Sequence, residues 1–426
     1  MARLVQKFGG SSLRDAKHIQ RVARIVADAY REGKELVVVV SAMGDTTDQL
    51  IELAGQVSQH PDPRELDVLL GTGEQISIAM LSLALQSLGL KARSFTGPQA
   101  GILTDDTNGF AKIKTVHPSR IETSLRRGEI AVVAGFQGMT RSSELTTLGR
   151  GGSDTTAVAL TAALGADRCD IYTDVDGIYT TDPRTVGTAR KLRAISYEEM
   201  LALASAGAQV LNARSVELAM KNKVPVRLRS TFESTDTGTL VTSSELAPEY
   251  QVCGVACDSD RISISFILGQ NFSVDASFAN ELHSAKTLNL IERLEHVGVN
   301  ASAIFKTNDE LQNVCQIDFT CEKRIARDVQ NLLSNALADF PASQFKVDAG
   351  IAKISVIGNA VHTDIHLQND LLSTLTNAEI PVSMLSADRL SISAIVPEQH
   401  KDTAIRKVHA RFCQETRSPD LVAASI

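Results

Sequence analysis

The sequence predicts an α/β protein in which a mostly parallel sheet lies between helices, followed by two smaller α+β units. Short apolar runs rich in valine and isoleucine alternate with helix-like segments along the first part of the chain. This alternation is typical of buried parallel strands joined by helices. Two glycine-rich turns each precede a helical pattern, and a degenerate repeat occupies the C-terminal part. These three observations set the fold class.

Composition narrows the class of protein. The chain has 426 residues, of which 43% are hydrophobic and 22% charged, with a formal net charge of −7. This balance is typical of a globular protein with two to three domains and argues against binding to nucleic acid or an anionic membrane surface. The start, MARLVQKFGG, leaves no room for a signal peptide, and the six cysteines lack a zinc-site spacing. We expect a cytoplasmic protein with no metal held by dedicated ligands.

The first element is a short strand around Leu4 and Val5 that runs into Lys7 and then Gly9 and Gly10. A helix is predicted next, because apolar residues recur at the spacing of one helix face at Ile19, Val22, Ala23 and Val26. A strand, a glycine-rich turn and a helix together form an arrangement that binds phosphate at the helix N-terminus. The turn is not a Walker A loop, because its lysine precedes the glycines.

The elements that follow continue the same alternation. We predict strands and helices at 36–41 (strand), 48–57 (helix), 74–88 (helix), 130–136 (strand), 153–164 (helix), 169–175 (strand), 196–221 (two helices) and 224–228 (strand). In such a sheet, ligands gather at the carboxyl ends of the strands, where both glycine-rich turns fall.

The second glycine-rich turn lies in the run from Thr146 to Asp167. It places Gly149, Arg150, Gly151, Gly152, Ser153 and Asp154 directly before a helix of small and apolar residues. A helix N-terminus carries unpaired N–H groups and partial positive charge, which attract phosphate or carboxylate. Alone, the turn would equally suit a tight connection. Beside the first turn, it favours an anion site.

The composition changes after Thr242. Residues 243–260 form a predicted polar linker. Beyond them, three segments each resemble a later one: RISISFILG resembles AKISVIGNA, LIERLEHVGVNASAI resembles LLSTLTNAEIPVSML, and NVCQIDFTC resembles DRLSISAIV. Each unit has the order strand, helix, strand, strand, helix, strand, which is ferredoxin-like. We therefore predict a first domain at 1–242, the linker at 243–260, and two units at 261–340 and 345–426. The paired units suit regulation or assembly equally well.

Six motifs along the first part of the chain resemble those of one enzyme family. The motifs occur in the order found in aspartokinases and are KFGGSS, VVVVSAMGDTTDQL, GTGEQIS, VAGFQG, TTLGRGGSDTTAVALTAALGAD and YTDVDGIYTTDPR. The resemblance spans residues 3 to 242, and the C-terminal half is similar, less closely, to the paired ACT domains of these enzymes. It implies the amino acid kinase fold and phosphoryl transfer from ATP to the β-carboxylate of L-aspartate. The product, 4-phospho-L-aspartate, begins lysine, methionine and threonine biosynthesis.

The chemistry of this reaction is mainly electrostatic. A carboxylate nucleophile is already ionised at pH 7, so the enzyme needs positioning and charge neutralisation more than a general base. The resemblance places Lys7 on the transferring phosphoryl group and Asp154 near the transfer centre, with Gly9, Gly10 and Ser11 around the phosphates. ATP and Mg²⁺ are the implied cofactors.

Substrate recognition needs a cation for the α-carboxylate and an acceptor for the ammonium group. Arg150 offers a bidentate carboxylate contact, and Glu74 offers the acceptor, although a glutamate in a first helical turn is also common. The resemblance implies that aspartate is bound by Ser41, Thr47, Glu74, Arg150, Gly151, Gly152 and Ser153. It implies that the nucleotide is bound by Thr173, Asp174, Tyr179, Asp182, Arg184 and Gln209, although Asp182–Arg184 would suit an ordinary turn by pattern alone.

The sequence departs from the family pattern at several positions. Ser11 replaces the more usual threonine, and Gln209 stands where many members carry a lysine that reaches the nucleotide. The stretches at 269–282 and 358–371 lack the Pro-Gly turn near the effector site. We therefore predict weakened ATP binding at Gln209, and weakened or altered feedback by lysine and threonine through the amino-acid effector site of the ACT domains.

Two alternatives compete with an active aspartokinase. One is a kinase for another acid, such as N-acetylglutamate or carbamate, although those enzymes lack tandem ACT units. The other is a non-catalytic sensor or assembly subunit, which would predict a lost active site, whereas Lys7, Glu74, Arg150 and Asp154 are all present. Because isolated ACT sheets leave surfaces to cover, we expect a homodimer or homotetramer.

Overall fold

The structure is a computed structural model. It describes residues 2–208, 210–233, 236–248, 250–268, 285–297, 299, 305–309, 314–336, 344–359, 361 and 364–413.

Within the described part of the chain, the N-terminal region alternates strands and helices as the sequence predicts. Its strands are β1 Arg3–Phe8, β2 Glu35–Val40, β3 Ala92–Phe95, β4 Ile102–Thr104, β5 Ile113–Val116, β6 Ile130–Ala134, β7 Gln137–Met139, β8 Leu145–Thr147, β9 Arg168–Thr173, β10 Ala194–Ser196, β11 Val226–Ser230 and β12 Thr239–Thr242. Its helices are α1 Ala16–Arg31, α2 Thr46–Val57, α3 Pro63–Ser87, α4 Ser119–Arg126, α5 Gly152–Leu164, α6 Tyr197–Ser205 and α7 Ala213–Asn222.

Eight of these described strands form one sheet in the order β10-β12-β11-β9-β1-β2-β6-β3. Every neighbouring pair is parallel except β11 with β12. Successive side chains of a strand point to opposite faces, so Leu4 and Phe8 pack with α1 and α3 while Val5 packs with α5. The prediction of a mostly parallel sheet between helices is confirmed.

A smaller sheet in the order β5-β4-β7-β8 extends this region. It is tied to α3 by Asp67, a buried carboxylate that accepts hydrogen bonds from the Thr147 hydroxyl and the Gly109 N–H. The connection holding Gly109 is thereby fixed next to the residues that precede α5.

The C-terminal region forms two further sheets. Its described strands are β13 Gly254–Asp258, β14 Arg261–Leu268, β15 Phe305–Asp309, β16 Val314–Glu322, β17 Gln344–Asp348, β18 Ile351–Ile357, β19 Met384–Asp388 and β20 Ser391–Pro397. Its helices there are α8 Ala285–His296, α9 Ala326–Ala336, α10 Ile365–Asn377 and α11 Lys401–Cys413. The sheet orders are β15-β16-β14-β17 and β13-β18-β20-β19. Equivalent strands of the repeat, β14 with β16 and β18 with β20, pair in the same antiparallel way.

The two units are not consecutive in the chain. The first follows the predicted order from β14 to β17, whereas the second takes its remaining edge strand, β13, from the stretch before the first unit. The first unit is therefore inserted into the second. The second half of the predicted linker 243–260 is this strand rather than a connection, because Val255 packs into the core of the second unit.

Helix α3 differs from the prediction in length. It begins at Pro63, where Asp62 caps it by accepting from the Arg64 and Glu65 N–H groups, and not near Glu74. By length and composition alone α3 is apolar enough to cross a membrane, and half of its most apolar 18-residue stretch is buried within the protein. It contacts α1, α2 and strands of both N-terminal sheets, so packing within the protein accounts for its buried apolar face.

Candidate active site

Four parallel strands end together at one edge of the large sheet, which we call the carboxyl edge. Phe8 of β1 is in register with Val40 of β2 and Tyr172 of β9, and Val40 is in register with Ala134 of β6. The loops that follow these strands therefore share one location. Predicted site residues in these loops include Gly9, Gly10, Ser11, Ser41 and Asp174.

Lys7 lies in β1 just before this edge. Its Nζ atom forms an ion pair with Asp154 Oδ1 at 2.6 Å, and both residues are buried. An atom at the Cβ position of Gly9 would lie 3.6 Å from the Lys7 amine, so the amine is held above the first glycine-rich turn. The structure thus brings together three predicted residues from both glycine-rich turns.

The first glycine-rich turn continues as a 3₁₀ helix at Gly10–Leu13. A Cβ atom at Gly10 would approach the carbonyl oxygens of Gly44 and Ala42 to 2.9 and 3.0 Å, so a side chain there would clash with the loop after β2. Ser11 is exposed, whereas Ser12 is buried and hydrogen-bonds the Thr231 hydroxyl at 2.6 Å. Of the two serines, Ser11 is therefore the one open to a ligand.

The second glycine-rich turn leads into the N-terminus of α5. Gly149 and Gly151 adopt positive φ angles of 74° and 73°, and no side chain in the described part of the chain caps the helix. Such a terminus leaves backbone N–H groups available to an anion. Arg150 is exposed between the two glycines, and its guanidinium forms no ion pair with the described residues. Asp154 follows in the first turn of the helix.

Asn212 holds this turn in place, a role that its sequence pattern does not indicate. Its Nδ2 donates to the Arg150 carbonyl at 3.2 Å, while its Oδ1 caps α7 by accepting from the Arg214 N–H. A Cβ at Gly151 would lie only 2.3 Å from the Asn212 Cγ. An asparagine just before a helical pattern is a known capping signal, but its contact with Arg150 is long-range.

Glu74 lies in the middle of α3, so the alternative of a first-turn glutamate is wrong. Its Oε1 accepts a hydrogen bond from the Ala42 N–H at 3.0 Å, next to Ser41. Its Oε2 is buried and has no partner among the described residues. Burial raises the pKa of Glu74 to about 7. A buried carboxylate with one free oxygen suits a cationic ligand.

The other predicted substrate residues lie around the same edge. Ser41 directly follows β2, and its N–H donates to the Phe8 carbonyl at 3.1 Å. Thr47 is half-buried in the first turn of α2. Ser153 is buried at the start of α5, where a Cβ at Gly135 would lie 2.7 Å from its Oγ. Ser41 and Ser153 thus lie against the ends of β1 and β6.

The predicted nucleotide residues lie in β9 and in the connection that follows it. Thr173 ends β9 at the carboxyl edge, and its hydroxyl donates to Asp174 at 2.9 Å. The Tyr179 hydroxyl donates to Asp176 at 3.0 Å. Farther along, Arg184 forms an exposed ion pair with Asp182 at 2.8 Å, and this hydrogen bond lowers the pKa of Asp182. Asp182 and Arg184 therefore contact each other in a turn. Gln209 lies outside the described residues.

A cleft of 1110 Å³ opens beside the second glycine-rich turn. Arg150, Gly151 and Asp154 line one wall, and residues of the C-terminal sheets, including Arg261 and Lys353, line the other. The start of α5 is thus open to a small molecule on the side of the C-terminal units. The arrangement can hold an anion between Lys7 and two helix starts, and an ammonium group at Glu74.

Comparison with known proteins agrees with this geometry. Residues 2–230 match the amino acid kinase family, and residues 354–412 match the ACT domain. An aspartokinase from Geobacillus stearothermophilus is 40% identical over 414 residues, covering 97% of each chain.

Two solved structures share the fold. The E. coli aspartokinase III complex with aspartate and ADP (R-state) gives a TM-score of 0.76 at 24% identity, covering 96% of this chain and 99% of that one. The same enzyme with lysine and aspartate (T-state) gives a TM-score of 0.71 at 25% identity with the same coverage. With 40% identity to a curated relative along nearly its whole length, this chain belongs to the aspartokinases, kinases of the amino acid kinase family.

Proposed function

We propose that this aspartokinase transfers the γ-phosphoryl group of MgATP to the β-carboxylate of L-aspartate and releases 4-phospho-L-aspartate and ADP. The observation that carries the proposal is the buried Lys7–Asp154 ion pair, which lies above Gly9 and in the first turn of α5. A lysine at this point faces both glycine-rich turns. It can offset the negative charge of a phosphoryl group in transfer.

The phosphate end of the reaction falls to Lys7 and the first glycine-rich turn. Gly10 and Ser11 offer backbone N–H groups and an exposed Ser11 hydroxyl to the phosphates of ATP, and Mg²⁺ enters as part of the nucleotide complex. Gly9 lets the phosphates approach the Lys7 amine, while its own N–H donates to the Tyr172 carbonyl at 3.2 Å. Asp154 keeps the Lys7 amine oriented, because its Oδ1 lies 2.6 Å away. The aspartate β-carboxylate is ionised at neutral pH and attacks without a general base. Catalysis is then positioning and charge neutralisation.

The aspartate end falls to Glu74 and Arg150. The free Oε2 of Glu74 accepts from the substrate ammonium, which also favours the ionised form of this raised-pKa carboxylate. Arg150 binds the α-carboxylate with two parallel hydrogen bonds. Ser41, Thr47 and Ser153 contribute hydroxyl groups, and Gly151 and Gly152 let the substrate approach the backbone at the start of α5.

The nucleotide end falls to the β9–β10 connection. We assign ATP contacts to Thr173, Asp174, Tyr179, Asp182 and Arg184. Asp182 and Arg184 form an exposed ion pair with each other, so a nucleotide contact by either side chain would replace part of that pair. For Gln209 the loss of a lysine charge stays a prediction of weakened ATP binding.

Regulation, assembly and location complete the proposal. One neighbouring aspartokinase structure contains lysine, and the ACT match supports an amino-acid effector for this chain. We propose that feedback by lysine or threonine is weakened, that the chain forms a homodimer or homotetramer through its C-terminal units, and that it acts in the cytoplasm. Inhibition by millimolar lysine or threonine at an unchanged oligomeric state would refute weakened feedback.

The domain division is proposed with two changes to the predicted bounds. The linker loses β13, and the first ACT domain ends at 348 instead of 340, because β17 pairs with β14 and not with a strand of the second unit predicted at 345–426. Residues 1–242 form the kinase domain, and 261–348 form the first ACT domain. The second ACT domain combines β13 with the stretch from β18 to α11. Each of the two ACT domains then has a complete four-stranded sheet within the described residues.

The direct experiment is ATP- and Mg²⁺-dependent hydroxamate formation with L-aspartate, which traps the acyl phosphate. We expect turnover with L-aspartate and none with N-acetylglutamate or carbamate. Turnover with another acid in place of aspartate would favour the related kinases. Absence of turnover with every acid, in folded protein that still binds an amino acid, would favour the sensor.

A further inference from the structure

The β9–β10 connection (residues 174–193) reaches from the carboxyl edge into the second C-terminal unit. Val186 in this connection is buried and belongs to the core cluster of that unit, with Val255, Leu371 and Phe412. The connection folds back on itself as a hairpin, because the Thr180 N–H donates to the Arg190 carbonyl at 2.9 Å. We call the contact of this hairpin with β13 and α11 the hairpin junction. The unit that matches the ACT domain thus shares its apolar core with the segment to which we assign ATP contacts.

Polar contacts tie the same junction together. The Val255 N–H donates to the Thr180 carbonyl at 2.7 Å, and a Cβ at Gly254 would lie 2.9 Å from that carbonyl oxygen. An Arg190 guanidinium nitrogen donates to the Cys413 carbonyl at the end of α11, at 2.8 Å. The connection is therefore held by β13 through its backbone and by α11 through the Arg190 side chain.

His409 makes the side-chain contact at the centre of the junction. It lies in α11 with 1% of its surface exposed, and its Nε2 is 2.9 Å from the Thr180 hydroxyl oxygen. The same hydroxyl oxygen accepts from the Arg190 N–H at 3.0 Å. Burial and, secondly, the charge of Arg190 lower the pKa of His409, so the imidazole is neutral at pH 7. Thr180 directly follows Tyr179, a proposed nucleotide contact.

We propose that His409 is a positioning residue for the nucleotide. Through Thr180 it fixes the part of the connection between Tyr179 and Asp182, so that the second ACT unit sets the affinity for ATP and leaves the aspartate pocket unaffected. The inference rests on the proposed function, because it requires this connection to contact ATP. Aspartate binding is separate, since Glu74 and Arg150 lie on other elements.

The test exploits the two nitrogen positions of imidazole. The amide of glutamine reaches the place of Nε2, and that of asparagine reaches the place of Nδ1, which has no hydrogen-bond partner among the described residues. We expect His409→Asn to raise the KM for ATP and the Kd for ADP by about five- to tenfold, because the connection loses the hydrogen bond between His409 and Thr180 that holds it in place. The KM for aspartate and kcat should stay within twofold, and His409→Gln should remain near wild type.

A second pair of variants protects the test against misfolding. Thr180→Val removes the hydroxyl and should raise the KM for ATP as His409→Asn does, while Thr180→Ser keeps the hydroxyl and should not. Melting curves of all four proteins report their folding. Parallel increases in the KM values for ATP and aspartate would show a merely structural role and would overturn the inference.

Tyr179→Phe separates this inference from the proposed function. If Tyr179→Phe raises the KM for ATP but neither His409→Asn nor Thr180→Val does, the inference is overturned while the nucleotide assignment stands. If none of these variants changes the KM for ATP in an active aspartate kinase, the connection is not a nucleotide contact and both assignments fall. Loss of aspartate turnover in the wild type alone would count against the reaction and not the junction.

Discussion

The carboxyl edge and the hairpin junction both bury polar groups, but of different kinds. The edge buries formal charges on Lys7, Glu74 and Asp154. The junction buries the neutral Thr180 hydroxyl and His409 imidazole, and leaves its charged residue, Arg190, exposed at the rim. Buried charges cost far more free energy than buried neutral groups. The buried charges at the edge therefore cost free energy that a charged ligand can offset. The neutral hydrogen bonds of the junction instead fix the position of the β9–β10 connection.

The largest expected effect tests the charge at the edge. Lys7→Met should lower kcat by about 10²–10³-fold, because one preorganised group that stabilises charge in the transition state is removed. The variant also leaves Asp154 buried without its cation, which destabilises the fold. Steady-state kinetics and thermal melting measure the two effects separately.

The double variant Lys7→Met with Asp154→Asn is the matched control. It should recover much of the lost stability, since no unpaired charge remains, but none of the lost kcat. Recovery of kcat together with stability would mean that the ion pair has only a structural role. The carboxyl edge and the hairpin junction would then not differ in the way described.

Glu74 gives the next largest effect, through pH. Burial raises its pKa to about 7, so protonation as pH falls from 8 to 6 removes the charge that attracts an ammonium group. The KM for aspartate should rise over this window in the wild type. Glu74→Gln should have a KM at least about tenfold higher at pH 8, without that pH dependence. A wild-type KM that is flat between pH 6 and 8 would contradict the assignment.

The same rise in the pKa of Glu74 predicts that its ionised form lowers the stability of the fold, although that form strengthens aspartate binding. The folded protein binds the Glu74 proton more tightly than the unfolded chain does, so the ionised form costs stability. That cost is absent below about pH 4.5, grows between 4.5 and 7, and is complete above 7. Without ligand, Glu74→Gln should stabilise the protein at pH 8 by about 2–4 kcal/mol. Urea unfolding at pH 5 and pH 8 would measure the difference.

Gly151 tests how closely the edge depends on backbone shape. Gly151→Ala must adopt a φ of 73° and pushes its Cβ to within 2.3 Å of Asn212. We expect a cost of about 1–3 kcal/mol and a higher KM for aspartate as Arg150 is displaced. Gly165→Ala, at the other end of α5, has a φ of 56°, and no atom of the described residues lies within 4 Å of its Cβ position. It should show the backbone cost alone, and an equal KM effect there would exclude a local cause.

The smallest effect lies at the exposed turn between the two regions. Arg184→Ala should change the free energy of unfolding by less than about 1 kcal/mol, because its ion pair with Asp182 is exposed. Its KM for ATP should rise a few-fold if the guanidinium contacts the nucleotide. Arg31→Ala removes a similarly exposed pair with Asp28 and should leave both quantities unchanged. Equal KM values for the two variants would remove Arg184 from the site.

The parts of this structure that the sequence predicts are local. The valine run of β2 and the glycine-rich start of α5 fold as their patterns indicate, and these patterns place Lys7 and Asp154 at strand and helix ends. The residues that the patterns miss depend on distant partners. Asn212 reaches Arg150, and His409 reaches Thr180, across long stretches of chain. The early start of α3 was hidden by Gly71 and Gly73, which pack against Leu145 and Ala42.

The insertion of one C-terminal unit into the other also orders the synthesis of the protein. Strand β13 leaves the ribosome before the whole first unit, and its pairing partner β18 emerges only after that unit is complete. The first unit can close on its own, whereas β13 must wait as an unpaired edge, which is prone to association with other chains. Nascent chains stalled between β17 and β20 should therefore depend most on chaperones. The second unit, which carries the junction, is the last part to form.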